Sequence, residues 1–240
     1  MNTKLRLYFS DKIQSDLVAH LKKEQSHYLK DVMRLKIGDS FSIFNGQGEW
    51  NASIESYEKE GARIKILHKL RDKENERNIW LAFTPIKQNP LNFIIQKATE
   101  LGVQKFIPIL SERTMVKDIN IERVKKIIVE SAEQSNRISI PEINNLESLK
   151  KFLSGFPKNG CLVFCDINCN KNDLKNILSK KDLGPICILI GPEGDFSEKE
   201  RKLIIDLNQT HSISLAKNIL RAETAAVAAV TLVNYHLNLS

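Results

Sequence analysis

Five apolar residues, Ile186-Cys187-Ile188-Leu189-Ile190, run without a break into the turn Gly191-Pro192-Glu193-Gly194. A run that is apolar at every position does not fit a strand with one wet face. It suits a strand buried on both sides, as in a parallel sheet covered by helices. Past the turn, Ser197 stands three residues before Glu200, the capping-box spacing that opens a helix. Ligands in parallel sheets collect beyond the carboxyl ends of the strands. Gly191 and Gly194 would let a ligand approach main-chain N–H groups with no side chain in the way. A similar event follows: 211–216 reads as a strand, 217–221 as its loop, and an alanine-rich helix begins near Glu223.

The strand–helix alternation extends back to residue 79. Strands are expected at 79–83, 103–110 and 161–166. Helices are expected from Pro90 to Gly102, over 121–137 and over 173–178. This half reads as a parallel α/β sheet. Residues 1–72 read as mostly β, with strands at 5–9, 41–44, 50–57 and 62–67 and one short helix over 24–35 closed by Gly38. Short strands at this spacing suggest a small barrel. The polar stretch 71–78 is the natural linker, giving expected domains at 1–72 and 75–240. The last helix, 223–239, is apolar over much of its circumference and is expected to be buried. A subunit interface is one account of that, and a homodimer is the expected assembly.

The 240 residues are 42% hydrophobic and 27% charged, which fits a globular protein. The net charge of +7, from 36 basic and 29 acidic residues, favours an anionic partner without identifying it. No apolar run is long enough for a membrane span and the N-terminus lacks a signal-peptide core, so a cytoplasmic protein with no membrane partner is expected. Cys161, Cys165 and Cys169 are spaced differently from the iron–sulfur motif of radical-SAM enzymes. Two of them fall in an apolar strand, where thiols pack as small hydrophobes. No metal-ligand set, P-loop or dinucleotide fingerprint is present, so no metal is expected.

GPEGDFSEKE followed by SLAKNILRAETAAV resembles the C-terminal signature of the SPOUT methyltransferases, and within them the RsmE-type family. KATELGV at 97–103, SERT at 111–114, ESAEQSNR at 130–137 and HYLKDVMRLKIGD at 27–39 extend the resemblance across the chain. The resemblance implies a SPOUT parallel-sheet domain with a deep trefoil knot, preceded by a small PUA-like β-barrel that binds RNA. It implies S-adenosylmethionine as methyl donor and N3 of a uridine in 16S ribosomal RNA of the small subunit as acceptor. The cofactor would lie on three loops through Phe164 and Cys165, through Leu189, Ile190, Gly191, Glu193 and Gly194, and through Leu215, Ala216, Ile219 and Leu220. Arg6, His27, Arg34 and Gln134 are the expected RNA contacts. Two departures stand out: Asp195 replaces a glycine usual in the family, and Ala216-Lys217-Asn218 replaces a Gly-x-Arg.

A protonated uridine N3 is a poor nucleophile, so a site of this kind needs cations that stabilise the uridinate oxygens. Arginine suits the role because it stays charged when partly buried and offers several donors. Arg137, Arg113 and Arg221 occupy motif positions, with Arg137 the first candidate. A phosphate contact, or an ion pair with Glu130 or Glu133, is the alternative use of Arg137. Glu193 is a candidate base or a turn cap. A non-catalytic RNA-binding protein of ribosome assembly would need the basic N-terminal module but no donor pocket.

Overall fold

The computed structural model describes residues 5–170, 173–179 and 184–238. The chain forms two compact units, one built from residues up to Asn75 with Ala132–Ile140, the other from Glu76–Ser131 with the remainder from Pro141.

The first unit holds β1 (Arg6–Tyr8), β2 (Val18–His20), α1 (Lys23–His27), β3 (Ser40–Phe44), β4 (Gly48–Tyr57) and β5 (Ala62–Asp72). The strands form one mixed sheet in the order β1-β3-β4-β5-β2, parallel only between β1 and β3. Alternation decides its inner face: Trp50, Ala52 and Ile54 on β4 and Ala62, Ile64 and Ile66 on β5 are buried at every second position. The helix expected over 24–35 stops being α-helical at His27 and continues as a π-helical turn, Tyr28–Val32. Met33 N reaches back five residues to Tyr28 O, and Arg34 then turns out with φ +56°. Strand β5 runs through Arg71 and Asp72, because Arg71 pairs with the buried carboxylate of Glu49 on β4.

The second unit contains β6 (Ile79–Phe83), α2 (Gln88–Glu100), β7 (Lys105–Leu110), α3 (Ile121–Gln134), β8 (Glu142–Ile143), β9 (Glu147–Ser148), α4 (Leu149–Ser154), β10 (Cys161–Cys165), α5 (Leu174–Leu178), β11 (Ile186–Ile190), α6 (Glu198–Ile205), β12 (Thr210–Ile213) and α7 (Ala222–Asn238). The last turn of α3 is grouped with the first unit. The sheet order is β12-β10-β11-β6-β7-β8, with β9 also on β7, and every recorded pairing is parallel. All five residues of β11 are buried, as its unbroken apolar run requires.

KATELGV explains itself locally as a helix stop. Gly102 takes φ +92°, Val103 N bonds Ala98 O and Gly102 N bonds Thr99 O, the paired bonds of a Schellman ending. α7 buries Ala222, Ala226, Ala229, Val230, Val233 and Leu237 along one face, packing on α2, α5 and β11. Val227, Ala228 and Leu232 are only half-buried, so burial is one-sided rather than all round. Leu239, the expected last residue of this helix, lies outside the described residues.

Candidate functional site

Strands β12, β10 and β11 are neighbours and parallel, so their carboxyl ends, Ile213, Cys165 and Ile190, open on the same edge of the sheet. The three following loops converge there around a cavity of about 290 Å³. That is the lower end of the roughly 300–1,000 Å³ range of small-molecule sites. The walls are Cys165–Ile167 after β10, Ile190–Glu193 with Asp195 after β11, and Ser214–Ala222 with Ala225 after β12.

Eight of the eleven expected cofactor residues line this cavity: Cys165, Ile190, Gly191, Glu193, Leu215, Ala216, Ile219 and Leu220. Phe164, Leu189 and Gly194 do not. Phe164 and Leu189 are 1% and 0% exposed and point into the core behind the site. The two glycines divide differently from the sequence reading. A Cβ on Gly191 would lie 3.0 Å from the ring of Phe196, itself packed edge-on against Phe164 at 5.7 Å. A Cβ on Gly194 would meet nothing nearer than Arg113 at 3.8 Å. Asp195 occupies the left-handed region at φ +59°, which accounts for the glycine usual there, and aspartate tolerates it better than most residues.

Both signs of charge face the cavity. Glu193, Lys217 and Arg221 are exposed at its rim. Asp166 is buried and tied to Arg201, whose Nη2 lies 2.7 Å from Asp166 Oδ2. Arg201 is raised above its usual value by that bond. Burial pushes the Cys165 thiol up to about 12, so it stays protonated and serves as an apolar wall. These features fit S-adenosylmethionine: main-chain edges and apolar walls for an adenine, and charges of both signs for a zwitterionic amino acid beside a sulfonium. Among the described residues no group of three His, Cys, Asp or Glu side chains could hold a metal ion.

The SERT loop docks on the donor-side turn. Arg113 Nη1 donates to Gly194 O at 2.8 Å, and Glu112 N donates to Glu200 Oε1 at 2.8 Å. Ser111 and Thr114 close the loop on themselves, Ser111 N donating to Thr114 Oγ1 at 2.9 Å. Arg221 lines the cavity; Arg137 belongs to the other unit. There Arg137 is 7% exposed and its Nη2 donates to Ser139 Oγ. Its carbonyl accepts from Arg6 Nη2 at 2.7 Å, while Arg6 Nη1 reaches the Ala132 and Glu133 carbonyls and Nε pairs with Glu49. The expectation that Arg6 contacts RNA does not fit this placement: it is 9% exposed and caps the end of a helix from inside. Arg6 and Leu7, neighbours on β1 that point to opposite faces, are both buried, so the strand leaves Arg6 no wet face. His27, Arg34 and Gln134 are exposed, His27 beside Asp31 at 2.6 Å.

Two family models match the chain, an RNA methyltransferase PUA domain over residues 21–67 and an RNA methyltransferase domain over 73–234. The ribosomal RNA small subunit methyltransferase E of Rickettsia conorii is 33% identical, covering 94% of this chain and 93% of that protein. A crystal structure of the Neisseria gonorrhoeae protein of that name, bound to S-adenosyl methionine, superposes with a TM-score of 0.86 at 26% identity over 97% of both chains. A putative methyltransferase from Legionella pneumophila, in complex with the same cofactor, gives 0.87 at 27% identity over 97% of both.

Proposed function

The chain belongs to the RNA methyltransferase family, with the ribosomal RNA small subunit methyltransferases E, and from there we propose that it methylates N3 of a uridine in 16S ribosomal RNA of the small subunit, using S-adenosylmethionine. The observation that carries the proposal is the cavity where the loops after β10, β11 and β12 meet. A non-catalytic RNA-binding protein has no use for it.

When bound, S-adenosylmethionine supplies an activated methyl group on a sulfonium sulfur. The Gly191 to Glu193 main chain and Leu215 and Leu220 would hold the donor and keep water from it. Arg221, exposed on the cavity wall, is the cation we assign to the uridine oxygens, where it lowers the cost of losing the N3 proton. Arg113 has one nitrogen on the Gly194 and Phe196 carbonyls and offers the rest of its fork to a phosphate or to the same base. Arg137, well buried in the first unit, keeps a supporting place by shaping the loop that also presents Gln134. His27 and Arg34 are the RNA contacts of the PUA-like unit.

The proposal includes a homodimer formed on the half-buried apolar face of α7, a trefoil knot of the family's kind, and a cytoplasmic location with the ribosome. No helix among the described residues is long and apolar enough to cross a membrane. Purified protein with tritium-labelled donor and small subunits from cells lacking the gene provides the test. Label should enter 16S ribosomal RNA, and reverse transcription should then stop at a single uridine, because N3 is a pairing edge. Donor binding without transfer to any RNA would refute the proposal.

A further inference from the structure

Helix α6 begins with an ordinary capping box, yet its Glu200 does more than cap. Oε2 accepts from Ser197 N at 3.1 Å, closing the box. Oε1 accepts from Glu112 N at 2.8 Å, 88 residues away in sequence, and the side chain is buried. A box needs only the first of these bonds. The next residue, Arg201, leaves the helix about 100° further round. It grips both oxygens of Asp166, with Nε 3.1 Å from Oδ2 and 3.3 Å from Oδ1. The Asp166 side chain is 0% exposed although Arg201 is about a third exposed, so this is no loose surface pair. Asp166 Oδ1 also accepts from Asn168 N at 2.9 Å, and Asn168 Nδ2 reaches Asp195 Oδ2 at 3.2 Å.

We propose that the first turn of α6 is a two-armed brace for the site. Through Glu200 it sets the 112–114 loop and with it Arg113; through Arg201 and Asp166 it sets the 165–169 wall of the donor cavity. The brace rests on the functional reading above. Its arms act on different steps. Losing the Asp166 arm loosens a wall the donor touches, whereas losing the Glu112 arm displaces a cation that acts on RNA. Glu200 and Arg201, which do not line the cavity, are therefore positioning residues, and Asp166 is the wall residue that Arg201 holds.

The test compares donor affinity by calorimetry, single-turnover rate at saturating donor and RNA, and Tm. Asp166→Asn should raise the Kd for S-adenosylmethionine about tenfold, the cost of one broken buried charge-assisted contact, and leave the saturated rate within about twofold. Glu200→Gln should do the reverse, slowing the rate about tenfold with Kd within about twofold. Ser197→Ala removes the cap and keeps the Glu112 arm; it should lower Tm as Glu200→Gln does and leave Kd and rate unchanged. Asp166→Asn combined with Arg201→Gln should cost no more affinity than Asp166→Asn alone, because the two residues act as one arm. Arg201→Lys, which keeps the charge but not the fork, carries that arm's test if Asp166→Asn does not fold. Rates and affinities at wild-type values in both single variants, or Glu200→Gln behaving as Ser197→Ala does, overturn the brace alone. A wild-type protein that binds no donor overturns the functional reading and the brace together.

Discussion

Replacing Gly191 by alanine isolates the contribution of the donor turn. The new methyl would stand 3.0 and 3.2 Å from two carbons of the Phe196 ring, closer than side chains normally pack. Phe196 is 3% exposed and backed by Phe164 at 1%, so the ring has little room to retreat inward. Overpacking of this kind costs about 1–3 kcal/mol. If the fold absorbs it, Tm falls. If the ring or the methyl yields into the cavity, donor affinity falls by about tenfold for each 1.4 kcal/mol. Gly194→Ala is the matched control, since its methyl would find only Arg113 at an ordinary 3.8 Å and the residue has no positive φ to protect. Calorimetric titration with S-adenosylmethionine and a thermal melt on both variants decide the matter. The structure predicts weaker binding or a lower Tm for Gly191→Ala and neither for Gly194→Ala. The opposite ranking would refute the placement of the cavity against Gly191.

Glu49→Gln should destabilise the protein by about 3 kcal/mol at neutral pH, the low end for breaking a buried ion pair, because Arg6 is left enclosed. Burial pushes the Glu49 carboxyl up, but Arg6 and Arg71 together outweigh it and hold its pKa below the usual 4.5. The gap between variant and wild type should therefore be full above about pH 4.5 and close as pH falls through the lower folded value, which denaturant titrations across pH would show. Arg221→Ala should slow methyl transfer about a hundredfold at saturating RNA and donor, with a defect that shrinks as pH rises and hydroxide takes over deprotonation. Arg137→Lys, by contrast, should lower Tm and leave the pH–rate profile parallel to that of the wild type. A pH-dependent rate defect in that variant would return Arg137 to the reacting atoms.

Much of the second unit was legible because its signals are local. Strand 79–83, strand 186–190 and the Ser197–Glu200 box follow from runs and spacings that tertiary contacts only reinforce. The site's outline was legible too, since a turn after each parallel strand fixes where three loops must meet. Side-chain allegiance was not. Gly191 and Gly194 carry identical local signals, and only the position of Phe196 separates them. Asp166 reads as the last residue of the strand 161–166; its partner Arg201 lies 35 positions on and is visible only in three dimensions. Arg6 is expected to meet RNA, yet its Nε is taken by Glu49 and its two terminal nitrogens by carbonyls more than 120 positions away. Motifs that carry the family resemblance also proved partly structural: KATELGV stops a helix, and the Asn136-Arg137 end of α3 does the same, with Asn136 at φ +64° and Arg137 N on Ala132 O.

The most direct test of the account is a crystal structure of this protein with S-adenosylmethionine. The donor should occupy the cavity between the 165–167, 190–195 and 214–221 loops, its adenine edge on main-chain groups and its walls formed by Leu215 and Leu220. Its methyl group should face the side on which Arg221 stands. A donor bound elsewhere, or a methyl turned toward the core behind Phe164 and Leu189, would contradict it.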